Sequence, residues 1–308
     1  MKFSDRMPMF KRFLVIGVGL IGGSVCKAIR QKGLVEHILG FSRRLETAHE
    51  ALSLGLIDEC ISDPSDANLK KVDAVFLAIP VGQYEVVLRQ FLPVLPANCL
   101  VFDAGSTKFD VAQLVEQLNH DFPGLNSRFI GAHPIAGSEK HGPSSALANL
   151  FESKTCVLCP NKQTEESKLR QVARFWEYLG ASTQLMDPKD HDEMFAAISH
   201  LPHYLAFAYI AGIQTHPKGE LFMREGGTGF RDFTRIAASS SEMWGDIFES
   251  NQKAMLEMLD RFDLVSQKMR TAIETGDRER LDQILNTVRV FRESWKAPHA
   301  KRTAHKLS

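Results

Sequence analysis

The sequence predicts an α/β fold, a doubly wound parallel sheet followed by an all-helical domain. Short apolar strands alternate with helices up to about residue 186, which implies right-handed βαβ units and a parallel sheet. From there to the end of the chain no convincing strand follows, and apolar residues recur at helical spacing. The length of 308 residues suits two domains.

The predicted sheet is made of short apolar runs of strand length, separated by helices and turns. In chain order the strands are "RFLVIG", "HILGFS", "ECIS", "DAVFLAIP", "CLVFDAG", "RFIGAHPI", "TCVLCP" and "STQLMD". The main helices between them are "LIGGSVCKAIRQKG", "LETAHEALSLG", "YEVVLRQFLPVL" and "SKLRQVARFWEYLG". These elements define a first domain at residues 1–186.

Residues 187–295 are predicted to be helical, and the basic, polar tail 296–308 is predicted to be disordered. Asp187 and Pro188 suit the N-cap and first position of a helix. The segment "SSSEMWGDIFESNQKAMLEMLDRFDLVSQKMRTAI" is expected to form one long helix, followed by a second at "RERLDQILNTVRVFRESW".

The run Met194–Ile213 is so apolar that it is about long enough to span a bilayer. Polar groups in its middle, such as Ser199 and His200, are costly in lipid and favour a helix buried in protein. A short helical domain supplies too little cover for such a helix. We therefore predict a homodimer through the helical domain, and no membrane contact.

Charge and cysteine content point to a cytoplasmic protein without nucleic acid partners. The 37 basic and 37 acidic side chains cancel, so nothing favours binding to nucleic acid or anionic membranes. Five cysteines, an odd number, fit a reducing compartment, and the N-terminal sequence does not resemble a signal peptide. Cys156 and Cys159 have CxxC spacing, but in a strand they point to opposite faces, so no metal is expected.

The motif "GVGLIG" places Gly17, Gly19 and Gly22 in G-x-G-x-x-G spacing. It follows a predicted strand and opens a helix, which is the context of a Rossmann-like dinucleotide site. The glycines allow a tight turn, close approach of the pyrophosphate and close helix packing, and the helix N-terminus attracts the phosphates. Further residues expected near the cofactor are Leu20, Ile21, Ile79, Pro80 and Lys108.

The end of the second strand, "GFSRRLE", predicts NADP preference, with NAD possible as a second cofactor. An NAD site usually has an acidic residue here for the ribose 2′-hydroxyl. This chain has Ser42, Arg43 and Arg44 instead. An arginine pairs well with a 2′-phosphate. The alternative is a solvated basic turn.

Ligands in such folds bind outside the carboxyl ends of the strands. Ser106 and Lys108 of "DAGSTK" and His133 of "GAHPIAGSE" lie at such ends. Oxidation of an alcohol needs a base for the hydroxyl proton, and histidine suits neutral pH. A serine there could hold the hydroxyl or orient the histidine.

The helical half contributes further polar groups. His200 and His203 of "SHLPH" share a helix face, and Pro202 between them is expected to interrupt the helix. Asp232 and Arg235 of "GFRDFTRIA" also share a face, and Arg235 could clamp a carboxylate. A buried salt-bridge network at a helix interface is the equal alternative.

Five segments together resemble the prephenate and arogenate dehydrogenases, the cyclohexadienyl dehydrogenases of tyrosine biosynthesis. They are "GVGLIGGS", "DAGSTK", "GAHPIAGSE", "SHLPH" and "GFRDFTRIA", in this order, and the resemblance covers residues 12–295. It implies oxidative decarboxylation of a cyclohexadienol, with hydride transfer to NAD(P) and a dimer through the helical domains.

The resemblance also implies roles for individual residues. His133 corresponds to the base for the ring hydroxyl, Ser106 to a serine that contacts this hydroxyl and the histidine, and Arg235 to the arginine that holds a carboxylate. Asp232 would lie near Arg235 and have a gating or orienting role at the substrate site. The full set expected to contact substrate is Arg235, His203, His200, Asp232, Glu139, Ser138 and Trp244.

Substrate choice stays open at the level of sequence. His203 and Glu139 together favour prephenate or both substrates, whereas "FSRR" resembles arogenate-using relatives. Two other classes share parts of the pattern. A β-hydroxyacid dehydrogenase would use a lysine in the helical domain, and a non-catalytic NADP-binding regulator would lack the polar set.

Overall fold

The computed structural model describes residues 7–137 and 140–295. The chain divides into two compact units, one up to Asp192 together with Ala238–Asn251, the other Glu193–Ala237 together with the chain from Gln252 onward. The sequence placed the boundary after residue 186 and did not anticipate that Ala238–Asn251 groups with the first unit. The predicted tail 296–308 lies outside the described residues.

The first unit is built on one eight-stranded sheet of order β3-β2-β1-β4-β5-β6-β7-β8. The strands are β1 Phe10–Ile16, β2 Val35–Phe41, β3 Glu59–Ile61, β4 Ala74–Leu77, β5 Leu100–Asp103, β6 Phe129–Pro134, β7 Thr155–Cys159 and β8 Ser182–Leu185. All eight predicted strands are therefore present. The reversal of strand order around β1 and β4 is the doubly wound arrangement.

The sheet is mainly parallel, as predicted, with one antiparallel pairing that the sequence did not indicate. β7 runs antiparallel to β6, with His133 opposite Val157, and β8 runs parallel to β7. The described part of the β6–β7 connection contains a 3-10 turn, Pro143–Ser145, and no α-helix. A parallel return needs a long crossover, usually a helix, so this connection reverses the chain instead.

Helices cover both faces of the sheet in the first unit. They are α1 Leu20–Gln31, α2 Leu45–Ser53, α3 Tyr84–Phe91, α4 Phe109–Asp121, α5 Leu125–Arg128, α6 Glu166–Tyr178 and, from the later segment, α11 Ser241–Ser250. One core contains stacked aromatic rings, such as Phe13 against Phe175, and the other contains aliphatic residues such as Leu14 and Val101. Alternate residues of β1 thus face opposite layers.

Beyond β8 the described chain is helical. The helices are α7 Pro188–Phe195, α8 Leu201–Gln214, α9 Gly219–Arg224, α10 Thr228–Thr234, α12 Gln252–Thr275 and α13 Arg278–Ser294. Asp187 caps α7 as predicted, because its Oδ1 accepts from the Lys189 N–H at 2.8 Å.

Two expectations about these helices are wrong. Pro202 does not interrupt its helix, since Pro188–Gln214 forms one continuous helical run. The irregularity is a π-helical turn, Ala196–His200, directly before α8, with Pro202 in its first turn, where proline is tolerated. The predicted long helix is divided at Asn251, whose φ of −109° and ψ of 29° end α11 before α12 begins.

The apolar helix is poorly covered within a single chain. Pro188–Gln214 spans 27 residues, long and apolar enough to cross a bilayer by length and composition, and 28% of its most apolar window is buried. Ile198 on this helix is 63% exposed, and Leu264 and Ile273 on α12 are 60% and 66% exposed. Large apolar side chains on both helices are therefore exposed in the single chain.

Candidate active site

The glycine loop has the geometry of a dinucleotide site. Gly17 adopts a φ of +94°, and a Cβ there would overlap the carbonyl oxygen of Ala78. A Cβ on Gly22 would overlap the carbonyl of Gly17, so only glycine lets α1 start this close to the loop. Gly19, in contrast, faces open space, because a Cβ added there would meet no atom within 4 Å. The loop is therefore closely packed at Gly17 and Gly22, whereas the backbone at Gly19 is open to a ligand.

The N-terminus of α1 faces this loop. Gly19 is the N-cap and Leu20 the first helical residue, and among the described residues no side chain caps the helix. Leu20 and Ile21 are half-buried. The first N–H groups of a helix and its dipole attract phosphate oxygens. The residues present therefore fit the pyrophosphate of a dinucleotide.

The predicted 2′-phosphate residues lie directly after β2. Ser42 is half-buried, and Arg43 and Arg44 are exposed. Arg43 forms a 3.4 Å ion pair with Glu242 of α11, and both side chains are well exposed, at 70% and 65%. A surface pair of this kind contributes little to stability, so Arg43 can exchange its partner. Sequence reasoning missed Glu242, which is 199 residues away.

Helix α11 also meets the segment after β4, where Ile79 and Pro80, the residues predicted to lie near the cofactor, are half-buried. Asp246 accepts a hydrogen bond from the Gly82 backbone; burial, followed by Glu242 and Glu249, raises the pKa of its carboxyl. Trp244 on the same helix is 5% exposed and packs against Phe248, with ring centroids 5.5 Å apart. These contacts explain why α11 groups with the sheet.

The position of Lys108 does not fit the cofactor-binding role predicted for it. We expected its side chain to bind the cofactor, but it is 1% exposed, and its Nζ donates to Asp103 Oδ2 at 2.6 Å. Asp103 is also fully buried and accepts from the Tyr84 hydroxyl and from the Gly105 and Ala132 N–H groups. Burying a charge is costly unless it is paired. Lys108 therefore holds the loop after β5 rather than facing a ligand.

His133 lies near the carboxyl end of β6 and is half-buried. Its Nδ1 is 2.9 Å from His191 Nε2, and His191 Nδ1 is 2.7 Å from Asp192 Oδ1. His191 and Asp192 are buried, at 0% and 3% exposed. Sequence reasoning missed both, although "DHD" at the start of α7 was a signal for a histidine beside a carboxylate.

Asp192 connects the hydrogen-bonded row of His133, His191 and Asp192 to the loop that carries Ser106. Its Oδ1 accepts from the Lys108 N–H and its Oδ2 from the Phe109 N–H, both at 2.8 Å. These are the first N–H groups of α4, so Asp192 acts as a cap from outside the helix. Ser106 is half-buried two positions before Lys108. The same carboxylate thus fixes both the Ser106 loop and His191.

Four of the predicted substrate residues belong to the second unit, namely His200, His203, Asp232 and Arg235. His203 is half-buried, and its Nδ1 donates to the Ser199 carbonyl at 2.8 Å. Burial, despite the Ser199 hydrogen bond and with help from nearby Arg235, lowers the pKa of His203. Neutral His203 therefore presents Nε2 as an acceptor, and its expected use as a donor requires protonation. His200 is 1% exposed.

Arg235 and Asp232 are both exposed. α10 ends at Thr234 with Arg235 as its C-cap in the αR region, and a 3-10 turn follows from Arg235. The ion pair of Asp232 is with its neighbour Arg231, at 3.4 Å. Ser138 and Glu139 lie outside the described residues. Within the described ranges, no cluster of His, Cys, Asp and Glu side chains could hold a metal ion.

The glycine loop, the open helix N-terminus and the histidine at the sheet edge define a nicotinamide-nucleotide-dependent oxidoreductase. Comparison with known proteins gives the family. The sequence model of the prephenate dehydrogenase nucleotide-binding domain matches residues 25–185, and that of the prephenate dehydrogenase dimerization domain matches residues 187–287. The chain belongs to the prephenate dehydrogenase family.

Individual relatives agree over nearly their whole length. A cyclohexadienyl dehydrogenase of Zymomonas mobilis is 32% identical over 98% of this chain and 99% of its own. The structure of prephenate dehydrogenase from Aquifex aeolicus with hydroxyphenyl propionate and NAD+ has a TM-score of 0.83 and 34% identity, covering 94% of this chain and 99% of that one. An arogenate dehydrogenase of Synechocystis has a TM-score of 0.75 and 29% identity, covering 92% and 100%.

Proposed function

We propose that this chain oxidatively decarboxylates prephenate and arogenate in tyrosine biosynthesis, with His133 as the base. One observation carries the proposal. His133 is a half-buried histidine near the carboxyl end of β6, in the same sheet whose β1 leads into the glycine loop. That edge is where doubly wound folds bind ligands.

The reaction divides into steps for which this chain has suitable groups. When bound, the nicotinamide supplies the acceptor for a hydride from the ring carbon that bears the hydroxyl. His133 takes the hydroxyl proton as ketone character develops, so it acts in its neutral form. Loss of the ring carboxylate as carbon dioxide makes the ring aromatic, and the proton returns to the ring oxygen. Ser106 holds the hydroxyl during this exchange.

Arg235 of the second unit is the residue that we propose to bind a substrate carboxylate. Prephenate has two carboxylates, and the exposed guanidinium of Arg235 is suited to pair with one of them in a bidentate manner. His200 is too buried to bind substrate without rearrangement, so we assign it to helix packing instead. Asp232, Trp244, Ser138 and Glu139 keep their proposed substrate roles from the family resemblance.

Use of both substrates is supported by His203. Prephenate has a keto group on its side chain where arogenate has an ammonium group. The Nε2 of neutral His203 can accept from an ammonium, and the protonated ring can donate to a keto acid. A single residue thus suits either group.

For the cofactor we propose NADP in preference to NAD. Arg43 and Arg44 follow β2 and are exposed, in the place where an NAD site usually has a carboxylate. The weak ion pair with Glu242 leaves Arg43 able to bind a 2′-phosphate.

We further propose a cytoplasmic homodimer formed through the helical domain. All five cysteines are free thiols, as expected in a reducing compartment. The exposed apolar side chains on the helical run Pro188–Gln214 and on α12 are those that a second copy would cover.

The test is a spectrophotometric assay of the purified chain with each substrate and each cofactor. We expect reduced nicotinamide to form with both prephenate and arogenate, together with one carbon dioxide per turnover. We also expect a higher kcat/KM with NADP than with NAD. Absence of reduced nicotinamide with every pair would overturn the proposed activity, and a higher kcat/KM with NAD would overturn only the cofactor preference.

A further inference from the structure

His133, His191 and Asp192 form a hydrogen-bonded row, and the reaction proposed above assigns no role to His191 or Asp192. From the sheet inward the order is His133, His191 and Asp192, joined by contacts of 2.9 Å and 2.7 Å. His191 and Asp192 are buried and belong to α7, and His191 follows His133 by 58 residues in the chain. Their rings and carboxylate are close enough for hydrogen bonds at both joints.

The chemistry of the row determines where each proton lies. Asp192 already accepts two backbone N–H bonds, one on each oxygen, which is the behaviour of a carboxylate. A carboxylate only accepts, so His191 Nδ1 must carry a proton and donate it. The Nε2 of neutral His191 is then an acceptor, and His133 Nδ1 must donate to it. In neutral His133 the lone pair therefore lies on Nε2.

We propose that His191, anchored by Asp192, is a positioning residue that holds His133 in the Nδ1–H tautomer and so makes Nε2 the catalytic base. This inference rests on the proposed role of His133. It assigns a function to two residues that no motif of the sequence had singled out. Asp192 acts through His191 and does not meet the substrate.

The surroundings of His191 support a neutral ring. Burial lowers its pKa, and Lys108 acts in the same direction, while the hydrogen bond to Asp192 and the charge of Asp103 act against them. A protonated His191 would direct a second N–H at His133 Nδ1 and remove the acceptor there. The neutral ring is thus the one that permits the row to work.

Asp192 also fixes the loop that carries Ser106. It binds the backbone N–H groups of Lys108 and Phe109, and Asn251 donates to its carbonyl at 2.8 Å. The loop with Ser106 is held by the same residue that anchors His191. Ser106 and His133, which are proposed to contact the same substrate hydroxyl, are therefore both positioned by Asp192. A shared anchor of this kind favours the precise orientation that catalysis requires.

The direct test is the tautomer of His133, measured from ¹⁵N shifts and couplings of the imidazole rings in the full-length protein at neutral pH. The His133 signals are assigned with the His133→Asn variant. We expect the proton on Nδ1 in the unaltered chain, and its loss from that position in His191→Leu. A proton on Nε2 of His133 in the unaltered chain would overturn the inference without touching the proposed activity.

The kinetic test compares two substitutions of His191. His191→Leu removes the acceptor, and we expect kcat to fall about 10²-fold with KM changed little, as when an orienting partner of a functional histidine is lost. His191→Gln offers an oxygen near the position of Nε2 and should recover part of kcat. Equal kcat for both variants and the unaltered chain would contradict the inference.

A matched control and a check of folding accompany these variants. His37→Leu removes another histidine paired with a carboxylate, since Nε2 of His37 on β2 lies 3.0 Å from Glu59 on β3, away from the row. It should leave kcat unchanged. Binding of reduced nicotinamide, followed by fluorescence, should persist in all three variants. Retained activity in His133→Asn would instead refute the proposed base, an outcome distinct from a failure at His191.

Discussion

Single residues in the proposed site control different kinetic parameters, because some act on the ground state and others on the transition state. In the proposed reaction, Arg235 pairs with a substrate carboxylate in the bound ground state, whereas His133 changes its protonation as the reaction proceeds. An interaction that is equal in both states changes KM, and one made only in the transition state changes kcat.

Arg235→Gln should therefore raise KM for prephenate, with a smaller effect on kcat. Loss of a charge-assisted hydrogen-bonded pair is worth roughly 1.5–3 kcal/mol, which is about a tenfold to hundredfold change in KM. Steady-state kinetics measure this. The control is Arg224→Gln in the same unit, where the exposed arginine pairs with its neighbour Glu225. An unchanged KM in Arg235→Gln would remove this residue from the binding site.

What the sequence could predict about single residues depended on position. His133 follows from its place at the carboxyl end of a strand, a rule of the fold. Lys108 occupies a similar place, yet it is buried against Asp103, because the pairing of two side chains depends on the packed loop. His191 lies 58 residues from its partner His133, so only the folded chain brings them together.

At the scale of elements, the prediction that α11 and α12 form one long helix is wrong. Its apolar spacing continues into α12, so a single helix was expected, but the chain turns at Asn251. The strands were easier to predict, since each is a continuous apolar run. The antiparallel edge was missed because strand direction depends on the path of the connection rather than on the strand itself.

The contact between α11 and the turn after β2 leads to a prediction about cofactor choice. Arg43→Ala should raise KM for NADP and leave KM for NAD nearly unchanged, because only NADP has the 2′-phosphate. Glu242→Gln should act in the opposite sense, since it frees Arg43 from its ion pair. The matched control is Arg89→Ala, an exposed arginine on α3 paired with Glu85 and Asp121. Equal effects of Arg43→Ala on both cofactors would contradict this.

At the scale of the whole molecule, the exposed apolar side chains of the helical unit predict association. Leu264→Glu places a charge on α12, where the leucine is 60% exposed, and should shift a dimer towards monomer in sedimentation at micromolar concentration. Leu54→Glu is the control, since Leu54 is 50% exposed in the first unit. A monomer mass for the unaltered chain would refute the proposed dimer.

Acid should destabilise the folded chain through buried His191 and half-buried His203. Burial lowers the pKa of His191 and His203 below their ordinary value of 6.5 in the folded state. Between the folded and unfolded values the unfolded chain binds more protons, so the free energy of unfolding falls as the pH drops below 6.5. Urea unfolding across this range measures it. A double His191→Gln, His203→Gln variant should show a smaller fall, whereas exposed His141→Gln should not.

The role of His133 as the base is what the proposed reaction depends on most, and kcat of the His133→Asn variant tests it without an intermediate step. We predict a fall of about 10²–10⁴-fold, the range for loss of a general base, while prephenate and reduced nicotinamide still bind. His141→Asn, an exposed histidine eight residues later, should keep full turnover. A kcat for His133→Asn equal to that of the unaltered chain would contradict this role.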